Sequence, residues 1–355
     1  MSTPPPTASP ILVGVFYDYP QADSGALFEQ AVRMGIEEVS AARGLDRPVE
    51  LAAYHARGLP GGSEHDVRTT FGALADSGAI VALGPSISDN GLIVSAMVDD
   101  IGLPCVNYTG GEITRGEYMF HYQVGSLEEE PVVLARYLDR IGRRSAAVAH
   151  DHSAVGRGYA ESFIHACDAL GIELNAVVPV SPLADDLSGP LKRLRAGDPE
   201  GLVYLGLGVA ARALAVALEA DTWDVPVVAN SALMFGYQRR DWRPGWEGWV
   251  YVDTVADDNR SRAKLRARDA RTAAGPIGVA AYDIGRLVAE AVARAAHLTR
   301  DGLRDAFEKV KQLPASSGLD GTTMGFGRYD HGALKGRYLV LRRWEGGKTV
   351  QVEDQ

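Results

Sequence analysis

The chain has 355 residues, of which 46% are apolar and 23% charged, and its net charge is −10. A chain of this length is too long to fold around one typical hydrophobic core, so two lobes are favoured. The negative charge argues against nucleic acid or an anionic membrane surface as a partner, and no apolar stretch is long enough to predict direct membrane insertion.

The first ten residues are rich in proline and small polar residues and are expected to form a disordered lead. They have neither the basic start and apolar centre of a secretory signal nor a cysteine that could carry a lipid anchor. We therefore expect cytoplasmic residence for the chain as written, and a periplasmic or extracytoplasmic location if a leader has been removed.

Short apolar runs alternate with segments of helical periodicity, which is typical of βαβ units and parallel sheets. In the first half the predicted strands are 11–16, 48–54, 79–83 and 103–107, and the predicted helices are 26–42, 64–76 and 91–101. In the second half helices 129–141, 157–170, 187–195 and 210–219 alternate with strands 145–149, 173–178, 201–205 and 225–229. Two late helices, 278–296 and 300–310, precede a predicted β ribbon that begins at 338–342.

Several sequence landmarks follow one another in a recognisable order. They are residues 11–15 with Ser24-Gly25, then 79–88, 103–109, 151–156, 280–283 and 318–326. In this order and spacing, they make the chain resemble the leucine/isoleucine/valine-binding family of type I periplasmic binding proteins, which are substrate-binding proteins of ABC transporters. The resemblance implies a two-lobed α/β fold, in which each lobe is a parallel sheet flanked by helices and three hinge crossovers join the lobes.

The same resemblance implies how the chain is divided between the lobes. The first lobe is expected at residues 11–124 and 255–325, and the second at residues 125–254 and 326–352. The hinges are expected near Gly125, Asp253 and Gly327.

Ligands of open α/β sheets bind beyond the carboxyl ends of the strands, where this chain carries hydroxyl and aromatic side chains. The predicted ligand-binding residues of the first lobe are Tyr17, Tyr19, Ser24, Ser86, Ser88, Tyr108, Thr109 and Gly110. Ser86 and Ser88 lead a helix whose amides and dipole suit a carboxylate or carbonyl oxygen, although serine also caps helices without any ligand. In the resembled family, the positions of Ser88 and Thr109 bind the polar head of the ligand.

The predicted ligand-binding residues of the second lobe are His152, Val155, Gly208, Ser231 and Phe235. His152 could donate a hydrogen bond to the ligand or be an ordinary surface histidine, and Phe235 could wall an apolar ligand or simply pack under its loop. Residues 206–211 mimic a dinucleotide fingerprint, but the next strand does not end in the acid that would hold a ribose. The glycines of this segment are more consistent with close approach of the backbone to a ligand.

Ser231 stands where amino-acid binders of the resembled family commonly carry an acid that pairs with the ligand ammonium. Serine cannot form that ion pair, and an unpaired buried ammonium is costly. Free α-amino acids are therefore not expected to be the best ligands, unless Asp18, Asp151 or Asp253 replaces the missing acid. The tryptophans of residues 242–249 are either a packed connector or a stacking platform for the ligand.

No recognised catalytic motif, such as a nucleophile elbow, a phosphate loop or His-Glu-x-x-His, is present, so neither an enzyme nor a metal or other cofactor is predicted. The leading hypothesis is a solute-binding protein that closes on a small molecule with a carboxylate or amide head and an apolar or aromatic body, and that serves an ABC permease. The alternative is a cytoplasmic sensor of the same fold that signals to a regulatory protein, as amide-responsive regulators do.

Overall fold

The computed structural model describes residues 9–19, 22–45 and 47–353, with the backbone alone for residues 22–24. Residues 1–8 of the predicted lead lie outside the described residues. The first block of the chain contains β1 (Ile11–Tyr17), α1 (Ala22–Arg43), β2 (Val49–His55), α2 (Glu64–Asp76), β3 (Val81–Leu83), α3 (Ser88–Ile101), β4 (Cys105–Asn107) and β5 (Met119–His121).

The five strands of this block form one parallel sheet in the order β2-β1-β3-β4-β5. Val13, Val15 and Phe16 of β1 are fully buried, as expected for a parallel strand whose two faces are covered by helices. The sequence did not predict β5, because three residues are too few to establish a period.

The second block repeats the alternation and builds a second parallel sheet. It contains α4 (Glu130–Arg140), β6 (Ser145–Asp151), α5 (Ala154–Leu170), β7 (Glu173–Val180), α6 (Ser188–Arg195), β8 (Leu202–Leu205), α7 (Val209–Asp221), β9 (Val227–Ala229) and β10 (Val250–Asp253). These strands pair in parallel in the order β10-β9-β8-β6-β7. The predicted class, helix-flanked parallel sheets in two lobes, is confirmed.

The last block of the chain first packs against the first sheet and then ends as strands of the second sheet. It contains α8 (Arg260–Arg268), α9 (Pro276–Arg294), α10 (Arg300–Phe307), β11 (Leu313–Pro314), β12 (Thr323–Met324), β13 (Leu334–Lys335), β14 (Val340–Glu345) and β15 (Lys348–Gln351). The predicted ribbon is present as β14 and β15, which add antiparallel strands beside β10. The sequence did not predict α8, because its arginine-rich segment shows no apolar period.

Helix α9 belongs to the first lobe, where it packs closely against α1. A Cβ atom at Gly35 would lie 2.1 Å from the carbonyl oxygen of Tyr282, and one at Gly285 would lie 2.2 Å from that of Val32. The two glycines therefore let the helix backbones touch, which ties a late segment of the chain to the first one.

We propose that the third crossover lies later in the chain than the predicted boundary near Gly327. Phe326, Leu334 and Tyr338 are part of the same buried cluster as α1 and α9, and Gly332 pairs with His121 beside β5. We therefore place the crossover between β13 and β14. The sequence favours an earlier boundary because residues 326–338 contain short apolar pairs rather than a periodic element.

Candidate functional site

Loops from both lobes enclose a cleft at the carboxyl ends of the parallel strands. The cleft has two connected parts that share Ser86, Ile87, Val124, Leu207 and Met234. The aromatic chamber is walled by Tyr17, Tyr19, Phe28, Tyr108, Phe235 and Ile277, and spans about 790 Å³ of space that is partly open to solvent. The polar chamber is bordered by Ser88, Asp89, Gly110, Asp151, His152, Val155, Tyr159 and Ser231.

The rings of the aromatic chamber are held in place by contacts within the protein. Tyr108 stacks on Phe28 with 4.7 Å between ring centroids, and Tyr17 stacks on His55 at 4.9 Å. The Tyr17 hydroxyl donates to the carbonyl of Gly25 at 3.0 Å. The walls are therefore rigid, and they favour an apolar or aromatic ligand group.

Asp18 organises the loop that joins the two chambers, and it is almost fully buried. One carboxylate oxygen accepts from the backbone amide and hydroxyl of Ser86 at 2.9 and 2.7 Å, and the other accepts from the Ile87 backbone amide at 3.0 Å and the Asn90 side-chain amide at 2.9 Å. Burial raises the pKa of Asp18, although these donors oppose the shift. Asp18 and the Ser86 hydroxyl thus serve the loop itself, even though both residues line the cleft.

The structure separates the two hydroxyls that were expected to bind the ligand head. Ser88 borders the polar chamber, and its Oγ accepts from the Gly110 amide at 3.2 Å. Thr109 is fully buried, donates to Asn107 Oδ1 at 2.9 Å and accepts from the Gly111 amide at 3.3 Å. Thr109 is not among the described residues that border either chamber, so its contact with a ligand stays a prediction.

The two lobes meet at two points beside the polar chamber. The Asp89 carboxylate accepts from the Val155 amide across the cleft at 3.3 Å. A Cβ atom at Gly110 would lie 2.8 Å from the hydroxyl oxygen of Tyr159, so glycine permits the approach. Tyr19 and Phe235 face each other across the aromatic chamber, with 6.1 Å between ring centroids.

On the second lobe, Asp151 is the buried acid of the polar chamber. It accepts from the Tyr204 hydroxyl at 2.8 Å and from the Leu207 amide at 2.7 Å. Burial raises the pKa of Asp151 to about 6, against the effect of these two donors. His152 lies exposed at the rim, and Val155 borders the chamber.

Gly208 caps the start of α7 with a φ of 102° and donates to the Tyr204 hydroxyl at 3.1 Å. It is not among the described residues that line either chamber. The conformation that requires glycine is thus a feature of the helix start. Its predicted contact with a ligand is not supported.

Glu130 is a functional candidate that the sequence analysis missed. It is fully buried behind Ser231 and accepts from the Ser231 amide and hydroxyl at 2.6 and 3.0 Å, and from Tyr159 at 3.2 Å. Burial raises the pKa of Glu130 to about 7. The signal was available in the sequence, because helical spacing places Glu130 on the same face as the buried Leu134 and Leu138.

Three further expectations concern Ser24, the tryptophans of residues 242–249 and Asp253. The Ser24 side chain lies outside the described residues. Trp242, Trp246 and Trp249 are buried in the core of the second lobe, as a packed connector would be. Asp253 accepts from Tyr237 and from the amides of Thr254 and Val255 near the second crossover.

Within the described ranges, no group of three or more His, Cys, Asp or Glu residues could hold a metal ion. No helix in those ranges is long and apolar enough to cross a membrane. Cys105 and Cys167 are buried and unpaired.

Comparisons with known proteins cover nearly the whole chain. A family model described as periplasmic binding protein matches residues 10–348. The structure is similar to a type 1 periplasmic binding protein from Bordetella pertussis Tohama I, with a TM-score of 0.83, 17% identity and coverage of 97% of this chain and 100% of the other. No curated protein sequence matches the chain.

Two further solved structures share the fold at similarly low identity. One is an ABC transporter substrate-binding protein from Desulfitobacterium hafniense in complex with Leu, with a TM-score of 0.78, 17% identity and coverage of 97% and 100%. The other is the branched-chain amino acid transporter substrate-binding protein LivJ from Streptococcus pneumoniae in complex with isoleucine, with a TM-score of 0.80, 16% identity and coverage of 97% and 100%.

Proposed function

The chain belongs to the periplasmic binding protein family, and from that premise we propose that its cleft captures a small molecule by closure of the two lobes. The ligand body is apolar or aromatic and fills the aromatic chamber, while its polar head reaches the polar chamber. The chain is a solute-binding protein, and we propose that it delivers its ligand to an ABC permease.

The observation that carries this proposal is the composition of the aromatic chamber. Tyr17 and Tyr108 come from the first lobe, and Leu207 and Phe235 come from the second. A ligand in the chamber contacts all four side chains only when the lobes are together. Its binding energy therefore favours the closed form over the open one.

The first experiment is a thermal-shift screen of amino acids, aliphatic amides and aromatic acids, followed by small-angle scattering with the best hit. A ligand at 100 times its dissociation constant should add about 2.7 kcal/mol to the free energy of unfolding. The radius of gyration should fall when the ligand is bound. An unchanged scattering profile at saturation would contradict lobe closure.

Phe235→Ala tests the place of the ligand body. It removes a half-buried ring from the wall, so an aromatic ligand should bind about tenfold more weakly by calorimetry. Val216→Ala is the matched control, because Val216 lies in the same lobe with 60% of its surface exposed. Equal affinity of the Phe235 variant and the parent would place the ligand body elsewhere.

A further inference from the structure

We infer that the polar head of the ligand carries no carboxylate and instead donates hydrogen bonds, as a primary amide or an ammonium group does. This inference rests on the proposed function and specifies the ligand class of the same cleft. It follows from how the protein's own carboxylates are distributed around the cleft. Three helices, α3, α5 and α7, begin beside the polar chamber, and a protein carboxylate accepts from an amide at or just before the start of each one.

Asp18 occupies the loop that directly precedes α3. Its two carboxylate oxygens accept from the amides of Ser86 and Ile87, which directly precede the helix, at 2.9 and 3.0 Å. These amides and the positive end of the helix dipole are the groups that would attract an anion. Because Asp18 is buried against them, a ligand carboxylate would compete with a charge fixed in the protein.

The start of α5 is occupied from the opposite lobe. The Val155 amide donates to Asp89 at 3.3 Å, and the Gly156 amide donates to the hydroxyl of Ser153 at 3.0 Å. These two amides, which have no partner within the helix, therefore already have acceptors from the protein. Asp89 also borders the polar chamber, so its negative charge faces any ligand head.

Asp151 accepts from the backbone that directly precedes α7. Its Oδ2 accepts from the Leu207 amide at 2.7 Å, and the following amide, of Gly208, donates to Tyr204 at 3.1 Å. Asp151 borders the polar chamber as well. A ligand carboxylate in this chamber would thus lie beside two protein carboxylates, and like charges at this range repel one another.

Apart from His152 at the rim, the described residues that line the two chambers include no basic side chain that could offset that repulsion. Among the described residues that line either chamber there is no lysine or arginine, and none of the residues outside the described ranges is lysine or arginine. Arg239 lies near Tyr19 at the rim, but its guanidinium is bonded to Asp241 at 3.2 and 3.3 Å.

The polar groups that remain fit a head that donates. Asp151 has two carboxylate oxygens with one protein donor each, and such oxygens can accept a further hydrogen bond from a ligand N–H. Ser88 Oγ accepts from the Gly110 amide, and its hydroxyl hydrogen can donate to a ligand carbonyl. A primary amide matches both groups, and an ammonium matches Asp151 alone.

The test is calorimetry with matched probes that share one body and differ only in the head. 3-Phenylpropionamide, 3-phenylpropionate and 3-phenylpropylamine form one set, and 4-methylpentanamide, 4-methylpentanoate and leucine form another. The amide should bind at least about tenfold more tightly than the carboxylate of the same body, and the amine separates an ammonium ligand from an amide ligand. A carboxylate or leucine that binds as tightly as the amide overturns the inference.

Two variants test whether the negative charges of Asp151 and Asp89 cause the preference for an amide over a carboxylate. Asp151→Asn and Asp89→Asn remove the charge but keep an acceptor oxygen, so each should reduce the ratio of amide to carboxylate affinity by about tenfold. Asp100→Asn is the control, because it changes the net charge equally at an exposed site on α3. An unchanged ratio in both charge variants also overturns the inference.

The two proposals fail in different ways. A carboxylate probe that binds tightly and reduces the radius of gyration overturns the head-group inference and leaves the proposed function standing. Absence of binding by every probe of both sets overturns the proposed ligand class, and the head-group inference with it.

Discussion

The carboxylate of Asp89 on the first lobe accepts a hydrogen bond from the amide of Val155 on the second, with 3.3 Å between Oδ1 and N. Val155 lies in the first turn of α5, where amides have no partner within the helix and a negative charge is favourable. Both residues border the polar chamber. The pair therefore links the lobes directly beside this chamber.

Asp89→Ala should shift the protein without ligand toward the open form. A carboxylate at a helix start contributes about 0.3–1 kcal/mol, so the ratio of closed to open molecules should fall by about twofold to fivefold. Small-angle scattering should record a larger radius of gyration than for the parent, while Asp100→Ala should leave it unchanged. Identical profiles for Asp89→Ala and the parent would show that this hydrogen bond does not hold the lobes together.

Gly110→Ala should impede closure by steric contact with Tyr159. The added methyl carbon would lie 2.8 Å from the tyrosine hydroxyl oxygen, and overpacking of this kind typically costs 1–3 kcal/mol. Ligand affinity should fall about tenfold or more, with little change in the melting temperature of the protein without ligand.

Tyr159→Phe provides the matched test, because it removes only the oxygen that the new methyl group would meet. In the Gly110→Ala background it should restore part of the lost affinity, which a double-mutant cycle measures as a coupling. Additive losses in the cycle would mean that the two residues do not meet in the ligand-bound form.

Ser88→Ala and Thr109→Val should have different effects, although the sequence treated the two hydroxyls alike. The Ser88 hydroxyl borders the polar chamber, and removing a hydrogen bond to a buried ligand head costs about 1–3 kcal/mol, or tenfold to a hundredfold in affinity. The buried Thr109 hydroxyl bonds Asn107 instead, so its loss should lower the melting temperature and change affinity less. Calorimetry and thermal melts on both variants separate the effects, and a Thr109 variant that loses more affinity than the Ser88 variant would reverse the assignment.

Glu130→Gln should change how stability depends on pH. Burial raises the pKa of Glu130 from 4.5 to about 7 in the folded protein, so between these values the folded state binds more protons than the unfolded state. The contribution of Glu130 to stability is therefore present below about pH 4.5 and is lost as pH rises through 7, a change on the order of 3 kcal/mol.

Chemical unfolding measured from pH 5 to 8 checks the direction of this pH dependence. The free energy of unfolding of the parent should decline more steeply with rising pH than that of Glu130→Gln, whereas Glu37→Gln, at an exposed position on α1, should follow the parent. Parallel curves for the parent and Glu130→Gln would mean that the donors from Ser231 and Tyr159 keep the carboxylate ionised throughout.

The sequence alone determined those helices and strands whose hydrophobic pattern lies within one short stretch of consecutive residues. The apolar run of β1 and the helical spacing of Phe28, Val32, Ile36 and Val39 in α1 are properties of consecutive residues, and those side chains are buried as the pattern requires. The loops at the carboxyl ends of the strands were identifiable for the same reason. Residues such as Ser88 and Phe235, which line the cleft, could therefore be predicted from the sequence.

Only the tertiary structure decided which side chain of a loop faces the cleft and which residues of distant segments meet. Thr109 turns inward to Asn107, Glu130 approaches Ser231 from 101 positions away, and Asp89 reaches Val155 from the other lobe. These contacts depend on lobe packing and on side-chain direction, which sequence periodicity does not encode. The charge of the cleft, and with it the proposed ligand class, is therefore a property of the folded chain.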